Sequence, residues 1–192
     1  MSDGPSPVDP VRARLSAIQA SRQRVLAELS EVTRKQGAWH RVDEWSLQEV
    51  AEHLVLAERG GFALIWEAAE AYRSGEPVWS GESANRGETI EAIVDRTWKA
   101  REEAPPSAEP SGFGSLSLWT TELEACDALL HELVPHLAGL PLERVIYPHF
   151  LCGPLDALQR LDFIRFHLDH HLPQIRRLKE AQNIAHSPSG SA

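Results

Sequence analysis

The 192-residue sequence has little of what marks a secreted, membrane-embedded or nucleic-acid-binding protein. Its two cysteines, Cys126 and Cys152, are too few for a disulfide framework, which favours reduced thiols and a cytoplasmic location. No run of about 18 apolar residues is present, so we expect no membrane span, and the polar, proline-rich start does not predict a secretory signal. The net charge of −9 argues against a general nucleic-acid binder.

Strand signals are also scarce, since the short segment ERVIY (143–147) is the best candidate, whereas helical periodicity is widespread. Apolar residues at helical spacing predict a first helix from Val8 to about Lys35, ended by Gly37. Ser46 and Glu49 form a capping-box pattern that starts a second helix, which extends to about residue 74. The Gly60-Gly61 pair within it predicts either a kink or a close helix contact.

The second half of the chain contains three further predicted helices. A short one covers 88–103, and a third long helix begins near Ser115 or Ser117 and reaches about Val134. Gly153-Pro154 is expected to open the last helix, with proline at its first position, and that helix continues to about residue 182. Four long helices and a long crossover that contains a short extra helix predict an all-α fold, a four-helix bundle. We expect one domain over 8–183, with disordered ends at 1–7 and 184–192.

Two histidines of the last helix form the strongest candidate site. His167 and His171 are four residues apart, so they lie on one helical face and can offer two imidazoles to a single metal ion. That face also carries Phe163 and Ile164, which indicates that it is buried, and a metal would satisfy both imidazoles at once. His170 lies on the far side of His167 and cannot readily join the pair.

His53, on the second helix, is the third candidate ligand because its apolar neighbours direct it towards the core. Three imidazoles with an open position resemble a reactive metal site. The pattern also fits a core histidine that is hydrogen-bonded to a carboxylate such as Glu58 or Glu122. The sequence leaves alternatives for the roles of two other residues. Cys152 is a thiol ligand, a nucleophile or a small buried residue, and the last is favoured. His149 lines a pocket mouth or packs in a loop.

Two longer stretches together resemble the DinB-like superfamily. They are WSLQEVAEHLVLAE (45–58) and HFLCGPLDALQRLDFIRFHLDHHLPQIRRL (149–178). The matching features are the W-S cap, the histidine of the second helix, the G-P-L segment, and H-x-x-x-H followed by Q-I. The resemblance extends from about residue 39 to 178. It implies a DinB/YfiT-like four-helix bundle in which His53, His167 and His171 bind a divalent metal, commonly nickel, zinc, iron or manganese. His170 occupies a variable position of the motif and is excluded as a ligand.

The resemblance also implies a class of activity. Characterised relatives are metal-dependent transferases or isomerases that use mycothiol, bacillithiol or glutathione, so the expected function is thiol S-transfer to a small-molecule electrophile, or hydrolysis with water in place of the thiol. Glu58 and Glu122 are the expected orienting residues behind the ligands. The alternative is a non-catalytic, stress-related bundle with a structural metal, or a small-ligand binding module. The family often forms dimers, so a homodimer is a further expectation.

Overall fold

The computed structural model describes residues 9–98 and 103–186, and its described part is mostly helical. The expected disordered segment 1–7, most of the expected tail 184–192, and residues 99–102 of the predicted short helix lie outside the described residues. The helices are α1 (Asp9–Leu29), α2 (Arg34–Gly37), α3 (Leu47–Arg73), α4 (Ile90–Thr97), α5 (Leu116–Leu137) and α6 (Ala157–His186). A 3₁₀ turn (Leu142–Arg144) and two strands, β1 (Ile146–His149) and β2 (Gly153–Asp156), separate α5 from α6.

The four long helices α1, α3, α5 and α6 enclose one hydrophobic core. Helix α1 packs against α5 and α6, and α3 packs against the same two helices from the other side. Each helix supplies fully buried apolar side chains to the centre, for example Ile18, Leu54, Leu130 and Leu161. None of the helices in the described parts of the chain is both long and apolar enough to cross a bilayer.

Helix α3 starts with the capping box of Ser46 and Glu49 that the sequence predicts. The Ser46 hydroxyl accepts a hydrogen bond from the Glu49 backbone N–H at 3.2 Å, and the Glu49 carboxylate accepts one from the Ser46 N–H at 2.7 Å. This reciprocal box satisfies two backbone donors that a helix start leaves without partners. It fixes the first turn of α3 and therefore the direction in which His53, on the second turn, points.

The first helix is shorter than predicted. Helix α1 ends at Leu29, and the chain starts a separate short helix, α2, at Arg34. The reason is a local capping box in which Thr33 caps α2 and the Gln36 side chain accepts from the Thr33 N–H at 2.9 Å. The break between α1 and α2 could not be predicted from the sequence, because the apolar residues keep their helical spacing through it and Thr33 and Gln36 also occur inside helices.

The prediction that Gly153-Pro154 opens the last helix is wrong. These residues belong to β2, which pairs antiparallel with β1 so that His149 lies opposite Gly153. Gly153 has φ +72°, a left-handed conformation that glycine adopts without steric cost. Helix α6 begins later because Asp156 and Gln159 form its capping box. The Asp156 carboxylate accepts a hydrogen bond from the Gln159 N–H at 2.8 Å, and the Gln159 side-chain oxygen accepts one from the Asp156 N–H at 3.1 Å. The predicted strand 143–147 overlaps β1 at its last two residues.

The glycine pair in α3 marks a close helix contact, not a break. Helix α3 is continuous from Leu47 to Arg73. A Cβ atom at Gly61 would lie 3.2 Å from the side chain of Ile164 on α6, whereas one at Gly60 would meet no atom within 4 Å. Gly61 therefore allows α3 to approach α6 next to the histidines of both helices.

A buried ion pair joins α1 to α3. The Arg22 guanidinium of α1 binds the Glu58 carboxylate of α3, and both side chains are 2% exposed. Arg22 also contacts Asp127 of α5 at 3.0 Å. Burial raises the pKa of Glu58, although the hydrogen bond from Arg22 opposes that rise. Removing Arg22 would leave the buried Glu58 carboxylate without its cation.

We expect Arg22→Met to lower the free energy of unfolding by about 3–5 kcal/mol, because it leaves the buried Glu58 carboxylate without its cation. The double variant Arg22→Met/Glu58→Leu should recover most of that loss, since no buried charge remains. Urea denaturation measures both values. The exposed pair Arg59–Glu122 is the matched control: Arg59→Gln should cost about 1 kcal/mol or less. Equal losses in the single and double variants would contradict this role of the pair.

Candidate metal centre

Three histidines from two helices meet between α3 and α6. The Nε2 atom of His53 lies 3.1 Å from Nε2 of His167, which lies 3.2 Å from Nε2 of His171. All three candidate ligand atoms fall within 4.8 Å of one another. His53 and His171 are buried, and His167 lies deep in the protein while keeping part of its surface open to an adjoining pocket.

The outer nitrogens of two of these rings fix the protonation of the inner ones. Nδ1 of His53 lies 2.7 Å from the Ala108 carbonyl oxygen, which can only accept, so this Nδ1 donates. Nδ1 of His171 donates in the same way to Oε1 of Gln174, also at 2.7 Å. A neutral imidazole that is protonated on Nδ1 has a lone pair on Nε2. The inner nitrogens of His53 and His171 are therefore both acceptors.

Burial keeps the cluster neutral. Desolvation lowers the pKa of His53, and it lowers the pKa of His171 to about 3, with the nearby His53 contributing. The pKa of His167 falls well below its ordinary value, first through burial and then through the neighbouring histidines. His167 carries at most one proton on Nε2, so it can donate to only one of its two neighbours. At least one of the two acceptor nitrogens then lacks a donor, and if Nε2 of His167 is unprotonated all three lone pairs face one another; either state is unfavourable unless a cation lies between them.

The distances from Nε2 of His167 to the other two nitrogens fit such a cation. The bond from an imidazole nitrogen to a zinc-like divalent ion is about 2.0–2.1 Å long. Two nitrogens bound to one ion are then about 2.9 Å apart if the nitrogen–metal–nitrogen angle is about 90°, and about 3.4 Å apart if it is tetrahedral. The distances of 3.1 and 3.2 Å fall within that interval. Three neutral imidazoles, two of them oriented by a hydrogen bond on the outer nitrogen, are a donor set suited to a divalent metal.

The structure brings together the three predicted ligands and places the other candidates elsewhere. His170 is outside the cluster, and its ring stacks on Trp98 at 4.9 Å. Glu58 binds Arg22 and Glu122 binds Arg59, so neither carboxylate is a hydrogen-bond partner of the three histidines.

The groups that hydrogen-bond the outer nitrogens of His171 and His53 are the Gln174 side chain and the Ala108 carbonyl. Gln174 follows His171 by three residues and could have been identified from helical spacing. Ala108 contributes only a carbonyl oxygen, for which the side-chain sequence contains no signal.

The cluster lies at the wall of a pocket of about 840 Å³. Aromatic and aliphatic side chains line much of it, including Trp45, Trp98, Phe150, Phe163, Leu56 and Leu64. The rings of Trp98 and Phe163 are stacked at 5.9 Å. The metal centre would therefore adjoin a space large enough for an organic ligand.

His149 and Cys152 lie on the β-hairpin beside the pocket. His149 lines the pocket and also packs in the hairpin turn, where its Nδ1 accepts the backbone N–H groups of Leu151 and Cys152 at 3.3 and 3.2 Å. His149 therefore lines the pocket, but it is the last residue of β1 and does not belong to a loop. Cys152 is buried, and burial raises the pKa of its thiol, so it is a small core residue and not an activated nucleophile.

We expect His167→Leu to leave the stability of the chelator-treated protein within about 1 kcal/mol of the wild type, or to raise it, because without metal His167 makes at most one hydrogen bond in the cluster and leucine removes a buried polar ring that is only partly satisfied. The neighbouring core variant Leu168→Ala is the control and should lower the free energy of unfolding by about 2–5 kcal/mol. Chemical denaturation in the presence of a chelator gives both values. A large destabilisation by His167→Leu would show that the histidines form a satisfied hydrogen-bond network without metal.

Comparison with known proteins identifies the family. The family model described as the DinB superfamily matches residues 17–175. "Uncharacterized protein YuaE" of Bacillus subtilis (strain 168) is 30% identical over 139 residues, which are 72% of this chain and 79% of that protein. No solved structure matches the chain significantly. The family match includes all three histidines and confirms the resemblance of the sequence motifs: the chain belongs to the DinB superfamily.

Proposed function

We propose that this protein binds one divalent metal ion through His53, His167 and His171 and catalyses the transfer of a low-molecular-weight thiol to a small-molecule electrophile. The observation that carries the proposal is the position of the cluster: its three inner nitrogens adjoin a wide pocket, whereas a purely structural site is usually closed by protein ligands. We also propose that the four long helices form a four-helix bundle of the DinB/YfiT type within one domain, 8–183.

The chain's own residues would prepare the ligands before any metal arrives. Ala108 and Gln174 hold the rings of His53 and His171 with their lone pairs directed inward, so little reorganisation is needed on binding. His53, His167 and His171 would hold the ion, which would supply Lewis-acid chemistry by lowering the pKa of a thiol or a water bound beside them. Nickel, zinc, iron and manganese are the candidate ions, because imidazole accepts each of them.

The pocket would hold the organic substrate beside the cluster. The aromatic and aliphatic side chains that line the pocket suit a flat, apolar electrophile. In the proposed reaction a bond forms between the thiol sulfur and an electrophilic carbon, the leaving group departs with its electron pair, and the thiol proton passes to solvent. Apolar walls also exclude competing water, which favours thiol transfer over the hydrolase alternative.

We expect the wild-type protein to bind one divalent ion per chain, and His171→Ala to weaken that binding by about 100-fold or more, since a direct ligand is lost. Gln174→Leu should weaken it by about 10- to 100-fold by releasing the ring of His171. His170→Ala is the adjacent control and should retain the wild-type affinity. Calorimetry with Zn²⁺ and elemental analysis measure affinity and stoichiometry. Equal loss in His170→Ala and His171→Ala would contradict the ligand assignment.

The activity is tested with the metal-loaded protein, 1-chloro-2,4-dinitrobenzene as electrophile, and mycothiol, bacillithiol or glutathione as the thiol. We expect the coloured thioether to form with at least one thiol at a rate that chelation or His171→Ala abolishes. Full metal occupancy with no transfer from any of the three thiols would contradict the transferase proposal. Unfolding on chelation in such a protein would support the structural-metal alternative, and thiol-independent release of product would support a hydrolase.

Two further properties stay predictions from the sequence and the family resemblance. They are a cytoplasmic location and a homodimer formed through the helix faces.

A further inference from the structure

Arg160 is a buried cation that has no carboxylate partner in the described part of the chain. It lies on the first turn of α6 and is 5% exposed. Its Nε and Nη2 both donate to the Tyr147 carbonyl oxygen in β1, at 3.3 and 3.1 Å. Nη2 also donates to the Pro148 carbonyl oxygen at 2.5 Å. The guanidinium also lies over the Tyr147 ring, 5.4 Å from its centroid. The other deeply buried arginine, Arg22, is by contrast neutralised by two carboxylates.

One edge of the Arg160 guanidinium remains available for a ligand. Its Nη1 makes no hydrogen bond to any residue that the structure describes, and the side chain lines the pocket that contains the three histidines. Burial lowers the pKa of Arg160 to about 10, so the side chain is still charged at neutral pH. A buried charge that is only partly compensated is costly, and an anion that enters the pocket would compensate it.

His149 supplies a second donor beside Arg160. Its Nδ1 is an acceptor for two backbone N–H groups, so the neutral ring carries its proton on Nε2. None of the described residues accepts that proton, and His149 also lines the pocket. Burial, together with the nearby positive charge of Arg160, lowers the pKa of His149 to about 3 and keeps the ring neutral.

Helix geometry sets the distance between this cation and the histidine cluster. Arg160 and His167 are seven residues apart on α6, which is about two turns and about 10 Å along the axis on the same face. Phe163 lies between them, with its ring centroid 4.3 Å from that of His149 and 6.0 Å from that of His167. The pocket therefore has a cationic end, an aromatic wall and a metal-ligand end.

We infer that Arg160 and His149 bind a carboxylate group of a ligand whose reactive end lies at the three histidines. This inference rests on the proposed function for the identity of the reactive end only. A single cation matches a monoanion, and Asp95 and Glu103 on the pocket wall would repel a dianion such as phosphate. The substrate class is thus a carboxylate-bearing thiol, of which glutathione and bacillithiol are examples and mycothiol is not, or a carboxylate-bearing electrophile.

The test compares each acid with its neutral ester on metal-free protein, so that it does not depend on the metal proposal. S-methylglutathione and its diethyl ester represent the thiol, and 3-phenylpropionate and its methyl ester represent the electrophile. We expect one acid or both to bind the wild type about 10- to 100-fold more tightly than the ester, as measured by calorimetry. In Arg160→Gln this difference should disappear, and Arg160→Lys should retain part of it. The acid that shows the difference identifies which substrate carries the carboxylate.

Arg144→Gln is the matched control, because Arg144 also lies over a tyrosine ring, 6.0 Å from that of Tyr72, but is exposed and away from the pocket. It should retain the full difference between acid and ester. Zn²⁺ affinity, measured on the same proteins, should be unchanged in Arg160→Gln, which separates failure of the carboxylate site from failure of the metal site. Equal affinity of acid and ester in the wild type, no binding of either acid, or equal loss of acid and ester binding in Arg160→Gln would overturn the inference.

Discussion

The structure depends on a shortage of hydrogen-bond donors among three buried imidazoles. His53 and His171 each use Nδ1–H to satisfy an oxygen, so both direct a lone pair at His167 within 3.1–3.2 Å. Hydrogen bonding alone cannot satisfy three neutral nitrogens in this arrangement, because only one proton is available between them. A divalent cation satisfies all three at once, and this is the physical basis for the metal proposal.

The surrounding fold holds the cluster in place. The capping box at Ser46 fixes the turn of α3 that carries His53, and Gly61 lets α3 approach α6 closely enough for the rings to meet. The crossover supplies the Ala108 carbonyl from a segment without regular structure. The buried pair Arg22–Glu58 joins α1 to α3. The cluster is thus positioned by helix packing and by one loop carbonyl.

Much of this arrangement is readable from the sequence, because it depends on local patterns. The cap at Ser46, the spacing of His167 and His171, and the helical periodicity are all local, and they predict the long helices and the candidate ligands. The β-hairpin escaped prediction because Gly-Pro suits both a helix start and a strand, and only pairing with β1 decides between them. The partners of Glu58 and His53 come from distant segments, so carboxylates were expected where the structure has a backbone carbonyl.

X-ray absorption at the metal edge of the loaded protein tests the central claim most directly. We expect three imidazole nitrogens at about 2.0–2.1 Å from a zinc-like ion and at least one further light atom that the protein does not supply. In His171→Ala the number of imidazole ligands should fall to two. A spectrum that shows no imidazole ligation, or four ligands all supplied by protein side chains, would contradict the account.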